Sequence, residues 1–256
     1  MFVQGHIYDH YIYAALAVVG TLLGSLFTQW VLTRSRWAVW FGTLRGVVPP
    51  FINVIGVLFS LTLVFLANDT WSAHDRALRA VHKEADALRS LKVLAEHLPV
   101  PHAERVRDRA DAYGWASAQE WPLLAQRRYS SEVTRRADLL MSQIANPEIS
   151  YTTDATLREM LLRQAAAARE QREERITLSQ THVNPLKWLG MAFLGFVTML
   201  SVAAVHIGHP RAMALSLSLY ALAAAPAAAI VLVQGNPFQQ PTTVTPGPLM
   251  AVVESP

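Results

Sequence analysis

The stretch Phe51-Ile-Asn-Val-Ile-Gly-Val-Leu-Phe-Ser-Leu-Thr-Leu-Val-Phe-Leu-Ala67 carries no charged side chain. It lies inside a longer uncharged run, Val47 to Ala67, whose length matches the ~20 residues that cross a ~30 Å hydrocarbon layer. Three further runs of this kind occur: Tyr11 to Thr33, Pro185 to Val205 with Lys187 near its start, and Ala212 to Val233. Between the second and third runs, Asn68 to Asn184 holds 17 of the 22 Lys and Arg and 17 of the 19 Asp and Glu. Two pairs of apolar helices thus flank one charged insert. The expected fold is an all-α membrane protein with four transmembrane helices and a helical-bundle insert between the second and third spans. Residues 1–68 form the first helix pair, 69–184 the extramembrane insert, 185–235 the second pair and 236–256 a proline-rich tail.

Composition supports the same class. A mean hydropathy of +0.22, with 52% hydrophobic and 16% charged residues, is too apolar for an ordinary soluble domain. The absence of cysteine excludes disulfides, thiolate metal sites and cysteine nucleophiles. A net charge of +3 is too small and too scattered to point to nucleic acid. The N-terminus lacks the basic region of a secretory signal, so the first run reads as a retained span. Arg34, Arg36 and Arg45 lie between the first two spans and Arg211 between the last two. Basic short loops favour the cytoplasm, which places both termini and the insert on the non-cytoplasmic side of the cell (inner) membrane.

The insert reads as helices throughout. Leu78, Val81, Ala85, Leu88, Leu91, Ala95 and Leu98 recur at spacings of three and four, so the second span continues outward as one long helix to Pro99. A second stretch covers about His102 to Ser117, with Val106, Ala110 and Tyr113 on one face, and ends near a Glu120-Trp121-Pro122 turn. The third starts near Ser131, with Leu139, Leu140, Met141 and Ile144 as its apolar face, and stops at Asn146-Pro147. A fourth begins at a Thr153-Asp154 cap and carries Leu157, Leu161, Ala165, Ala168 and Ile176. Glu173 and Glu174 in Arg169-Glu-Gln-Arg-Glu-Glu-Arg175 read as a solvated face with i, i+4 ion pairing. In the tail, Phe238, Val244 and Leu249 are apolar points that need cover, so the tail is expected to lie against the membrane end of the bundle.

Candidate functional residues concentrate in the second span. Advancing about 100° per residue gathers Asn53, Gly56, Ser60, Val64, Ala67 and Trp71 into one narrow stripe, mostly small or polar. Two needs produce such a stripe: close helix packing, or a wet lumen that tolerates an amide and a hydroxyl at membrane depth. Asp69 falls off the stripe, so a pore lined this way is neutral. Gly20 and Gly24 in the first span, and Pro226 among the alanines of the fourth, read as helix-packing features. The pairs His6 and His10, and His206 and His209, have helical spacing but lack a third ligand, and no metal or other cofactor is assigned. No nucleotide-binding glycine loop, nucleophile elbow or HExxH motif occurs, so the chain does not read as an enzyme.

The segment Phe51 to Trp71, followed by Val81-His-Lys-Glu-Ala-Asp-Ala-Leu-Arg-Ser-Leu91, resembles the bestrophin-like domain family of bacterial multi-pass membrane proteins. Tyr113, Glu120-Trp121-Pro122, Asn236-Pro-Phe238 and Val244-Thr-Pro246 extend the resemblance over nearly the whole chain. One departure is Gln240, where the family often has glycine. The resemblance implies a likeness to bestrophins, pentameric anion channels lined by their second span. On that analogy Asn53, Val57, Ser60 and Val64 face a central pore, with Val57 and Val64 as apolar constrictions. It also implies a cytosolic insert, opposite to the side that the basic loops favour. The combined expectation is a homo-oligomer, a pentamer by analogy, that sits in the lipid bilayer and passes chloride or other small anions. The rival reading is a non-conducting sensor or scaffold whose insert binds a ligand or partner.

Overall fold

The computed structural model describes residues 9–36, 38–42, 49–180, 185–240 and 243–254. Val47, where the second run begins, Arg45, His6 and Asn184 lie outside the described residues. Among those described, all regular structure is helical. Four helices are long and apolar enough to cross a membrane: α1 (Asp9–Arg34), α3 (Pro49–Ala95), α9 (Pro185–Val205) and α10 (Pro210–Val233). A short α2 (Ala38–Gly42) follows α1. The remaining elements are α4 (Val100–Ala118), α5 (Trp121–Ala125), α6 (Ser131–Ile144), α7 (Pro147–Thr152), α8 (Ala155–Gln180) and α11 (Gly247–Glu254). The chain forms two compact units. One holds α1, α2, α3 up to Trp71, α9 and α10; the other holds α3 from Ser72, α4 to α8 and the tail from Asn236.

In the membrane unit, α1 packs against α10 and α9, and α9 against α10. One apolar cluster joins Leu32, Met199, Ala203, Met213 and Leu217; a second joins Leu66, Met191, Ala228 and Val231. Small residues let the backbones approach, since lipid tails supply no hydrophobic drive between helices. At Gly24 a Cβ would stand 3.3 Å from Met199 Cε, an approach that glycine permits. At Gly20 a Cβ would meet no atom within 4 Å, so no close contact within the chain requires glycine there. Pro226 sits exposed inside α10, which stays helical through it. Eight hydroxyl groups along the spans turn inward on their own helices. Thr21, Ser25 and Thr33 in α1, Ser60, Thr62 and Thr70 in α3, and Thr198 and Ser201 in α9 each donate to the carbonyl four residues earlier, at 2.7–3.0 Å.

The second unit, called the extramembrane unit after its charged sequence, is a helical bundle with one main core. Val81, Ala85, Leu88, Leu91 and Ala95 of α3 are buried, whereas Leu78, expected on this face, is exposed and Ala77 is buried instead. Along α6 the buried face is Val133, Ala137, Leu140 and Ile144; Leu139 and Met141 lie at its margin. Two expected turns are short helices. Glu120-Trp121-Pro122 opens α5, because proline at the second helical position costs no hydrogen bond. Asn146-Pro147 opens α7, where the Asn146 side chain accepts from the Glu148 amide at 3.0 Å. Asp154 caps α8 as its position predicts, accepting from Thr156 N at 2.9 Å. Those hydrogen bonds, led by Thr156, hold its carboxyl below the usual aspartate range.

The C-terminus of α5 closes with Arg127 in the left-handed region, φ 61°. Arg127 N bonds Leu124 O and Arg128 N bonds Leu123 O, the paired closure that usually calls for glycine. Helix α11 lies along α4, with Leu249 and Val252 buried. Beneath it, a Cβ on Gly114 would come within 2.8 Å of Val253 Cγ2. Gly114→Ala is therefore expected to destabilise the bundle by about 1–3 kcal/mol, and Val253→Ala in the same chain to recover most of that. Chemical unfolding of the two single variants and the double variant measures the coupling.

Candidate functional site

Two groups of residues stand out. The first is the stripe on the membrane part of α3. Asn53, Val57, Ser60 and Val64 are exposed, with Val57 at 58% and Val64 at 60%; Gly56 is half-buried. Ala67 is also half-buried and packs against the Leu66 and Met191 cluster. Phe51, Val54, Leu58, Leu61 and Phe65 are exposed as well, so α3 meets its own unit mainly through Phe59, Leu63, Leu66 and Ala67. A single chain therefore leaves the stripe uncovered. The Ser60 hydroxyl donates to Gly56 O at 2.8 Å, and its oxygen presents lone pairs outward. Asp69 lies away from the stripe and accepts from Lys187 Nζ at 2.6 Å. Both partners are more than half exposed, so this pair adds little stability, but it does offset the only carboxylate of this stretch. Trp71 Nε1 donates to Gln234 Oε1 at 2.9 Å, joining the end of the stripe to the end of α10.

The second group lies inside the extramembrane unit, on the segment of α8 whose Glu173 and Glu174 read from sequence as a solvated face; Glu173 is exposed there. Arg172 and Arg175 are instead buried, at 1% and 0% exposure. Arg175 reaches Glu84 through Nε to Oε2 at 2.6 Å and Nη2 to Oε1 at 3.0 Å. Tyr113 and Ser117 hydroxyls also donate to Glu84 Oε1, at 2.9 and 2.7 Å. Arg172 grips Glu120 in the same forked way, at 3.0 and 2.7 Å, and further donates to Thr134 Oγ1 and Ser130 O. Ser130 N closes the ring on Glu120 Oε1 at 2.7 Å. Pairing and hydrogen bonding are what stabilise buried charges, and both carboxylates accept from several donors; on the cationic side Arg175 Nη1 is left without a hydrogen-bond partner among the described residues.

Trp121 links the Arg175–Glu84 pair to the tail. Arg175 stacks over its ring at 4.6 Å and Phe238 meets it edge-on at 5.7 Å. Its Nε1 donates to Val244 O at 2.6 Å. Asn236 Nδ2 donates to Leu124 O, which also accepts from Arg127 N, and Gln239 Nε2 donates to Ala125 O, so the tail adds donors to the carbonyls that end α5. Gln240 needs no special backbone, since Arg127 is the one non-glycine with positive φ among the described residues.

Burial pushes the Tyr113 hydroxyl well above its ordinary pKa, with the Glu84 charge adding to the effect. A raised folded pKa means that the neutral form is favoured on folding. Its stabilisation is complete below the unfolded value of about 10 and declines as pH rises beyond it. Tyr113→Phe is expected to cost about 1–3 kcal/mol near neutral pH and to flatten the alkaline limb of a stability profile. Denaturant midpoints measured from pH 7 upward check both.

A signal for the second group was present in the sequence. Arg172 and Arg175 continue the spacing of Leu161, Ala165, Ala168, Ile176 and Ser179, and Glu84 continues that of Val81, Leu88 and Leu91. A charge on an apolar stripe reads as a buried charge that needs a partner.

Comparison with known proteins agrees with this architecture. The model of the Bestrophin-like domain family matches residues 19–249. A crystal structure of a bacterial bestrophin homologue from Klebsiella pneumoniae superposes with TM-score 0.67 at 14% identity, covering 94% of this chain and 99% of that one. A second variant of the homologue gives TM-score 0.67 at 14% identity, over 99% and 96% of the two chains. A crystal structure of a membrane protein variant gives 0.66 at 12% identity, over 95% and 99%. No curated protein matches. The identities are low enough that the superpositions speak for the fold alone, whereas the family model covers most of the sequence. The chain belongs to the Bestrophin-like domain family.

Proposed function

We propose that this protein is a passive anion channel, chloride being the reference ion, formed by several copies around an axis lined by α3. The observation that carries the reading is the uncovered stripe. Asn53 and Ser60 are polar, exposed and at membrane depth, where lipid would leave an amide unsatisfied. Water at a shared axis would satisfy it. Closed symmetry would bury the apolar remainder of α3 against neighbouring copies, and likeness to bestrophins suggests five of them. Val57 and Val64 would form apolar constrictions, and a lining without carboxylates does not repel anions. Membership of the Bestrophin-like family and the likeness to bacterial bestrophin homologues support the same assignment. The basic short loops favour the inner membrane with the insert on the non-cytoplasmic side.

Chloride flux into proteoliposomes containing the purified protein tests this, with potassium flux and empty vesicles alongside. Chloride flux above both controls is the expected result. Absence of flux for either ion, with the protein inserted and oligomeric, would favour the sensor or scaffold reading.

A further inference from the structure

The membrane unit contains a cavity of about 310 Å³ between α1, α3, α9 and α10. Gly20, Gly24 and Gly195 line it, and Phe59, Met199 and Tyr220 wall it, with Gly24 and Gly195 letting Met199, Phe59 and Tyr220 approach closely. Gly20 is exposed and an added Cβ there would touch nothing within 4 Å, so the cavity is open to the surface along this edge of α1. Its polar wall atoms already have partners: Thr21 Oγ1 donates to Ala17 O and Tyr220 Oη to Gly195 O, both at 2.7 Å. Nothing in the wall calls for a hydrogen bond from an occupant, so the matching chemistry is apolar. The volume is about twice that of the ~150 Å³ apolar cavity known to bind benzene, which leaves room for a length of chain. At the mouth, Leu16 and Phe196 are 61% and 45% exposed on helices apolar enough to sit in hydrocarbon.

We propose that this cavity seats one acyl chain of a bilayer lipid. Phospholipid tails are the apolar chains present at that depth, and Leu16 and Phe196 open the cavity toward them. The bound chain would rest on Phe59, whose ring lies 6.2 Å from that of Tyr220 and whose neighbour Ser60 belongs to the stripe. Lipid composition thereby gains a handle on α3. The binding claim itself stands apart from conduction.

The test uses the full-length protein in phosphatidylcholine bilayers containing a trace of phosphatidylcholine with a mid-chain diazirine. After photolysis, adducts are mapped by peptide mass spectrometry. Adducts should concentrate on the Gly20 to Gly24 and Met191 to Met199 segments, several-fold above Leu22, Leu26 and Leu222, which face outward. Gly20→Leu should at least halve cavity labelling and leave Leu222 unchanged. Ala192→Leu, which intrudes from α9, should do the same and guards against misfolding of the first variant. Uniform labelling of all exposed apolar positions, cavity labelling unchanged in both folded variants, or no lipid adduct on the cavity segments would each overturn the proposal.

Discussion

Arg175→Leu is expected to destabilise the extramembrane unit by about 3–5 kcal/mol, the cost of leaving one member of a buried ion pair unpaired. Glu84 would keep the Tyr113 and Ser117 hydroxyls, but its charge would face an apolar side chain in a site with no solvent access. The Trp121 ring would also lose the stacked guanidinium. Denaturant unfolding of the full chain in detergent, followed by tryptophan fluorescence, measures the loss. Glu84→Leu in the Arg175→Leu background should recover part of it, because the uncompensated charge is removed while the buried Tyr113 and Ser117 hydroxyls lose their acceptor. Arg163→Leu provides the contrast. Its pair with Glu159 is mostly exposed, and the expected change is below about 1 kcal/mol. Equal losses for Arg163 and Arg175 would refute the assignment of the buried pair.

Ser60→Trp is expected to lower chloride flux by at least about tenfold, since an indole at a neutral, narrow lining both fills the lumen and removes a hydroxyl. The prediction separates conduction from packing. If the stripe lines a pore, the variant should express, assemble and fail to conduct. A stripe buried between helices should instead lose its oligomer or its expression. Wild-type behaviour in both respects would deny the stripe any role. Assembly is read by size-exclusion chromatography and flux by the vesicle assay.

Much of the fold could be read from apolar run length and from spacings of three and four. Those signals located four spans and the main insert helices, and the continuation of α3 beyond Trp71 followed from unbroken periodicity. Short helices were harder to read. Glu120-Trp121-Pro122 and Asn146-Pro147 carry the same proline and polar residues that mark turns, and one helical turn is too brief for a period to appear. The buried pairs were missed for a different reason. Arg172 and Arg175 stand in a local pattern that also suits a solvated helix, and their partners Glu120 and Glu84 lie far away along the chain. Gly20 and Gly24 share one motif, yet Gly24 alone meets a close neighbour. The stripe could be read as a pattern, but a single chain leaves it uncovered. Spacing places Asn53 and Ser60 on one face and does not say what covers it.

The hydroxyls that bond back along their own spans also bear on biogenesis. Eight serine and threonine side chains in α1, α3 and α9 satisfy their donors within the helix that carries them. Each such helix can enter the bilayer with those donors already occupied, so their insertion need not wait for a partner helix. For these groups, insertion and helix packing are separable in time: a newly made span can rest in the membrane before its partner helices close on it.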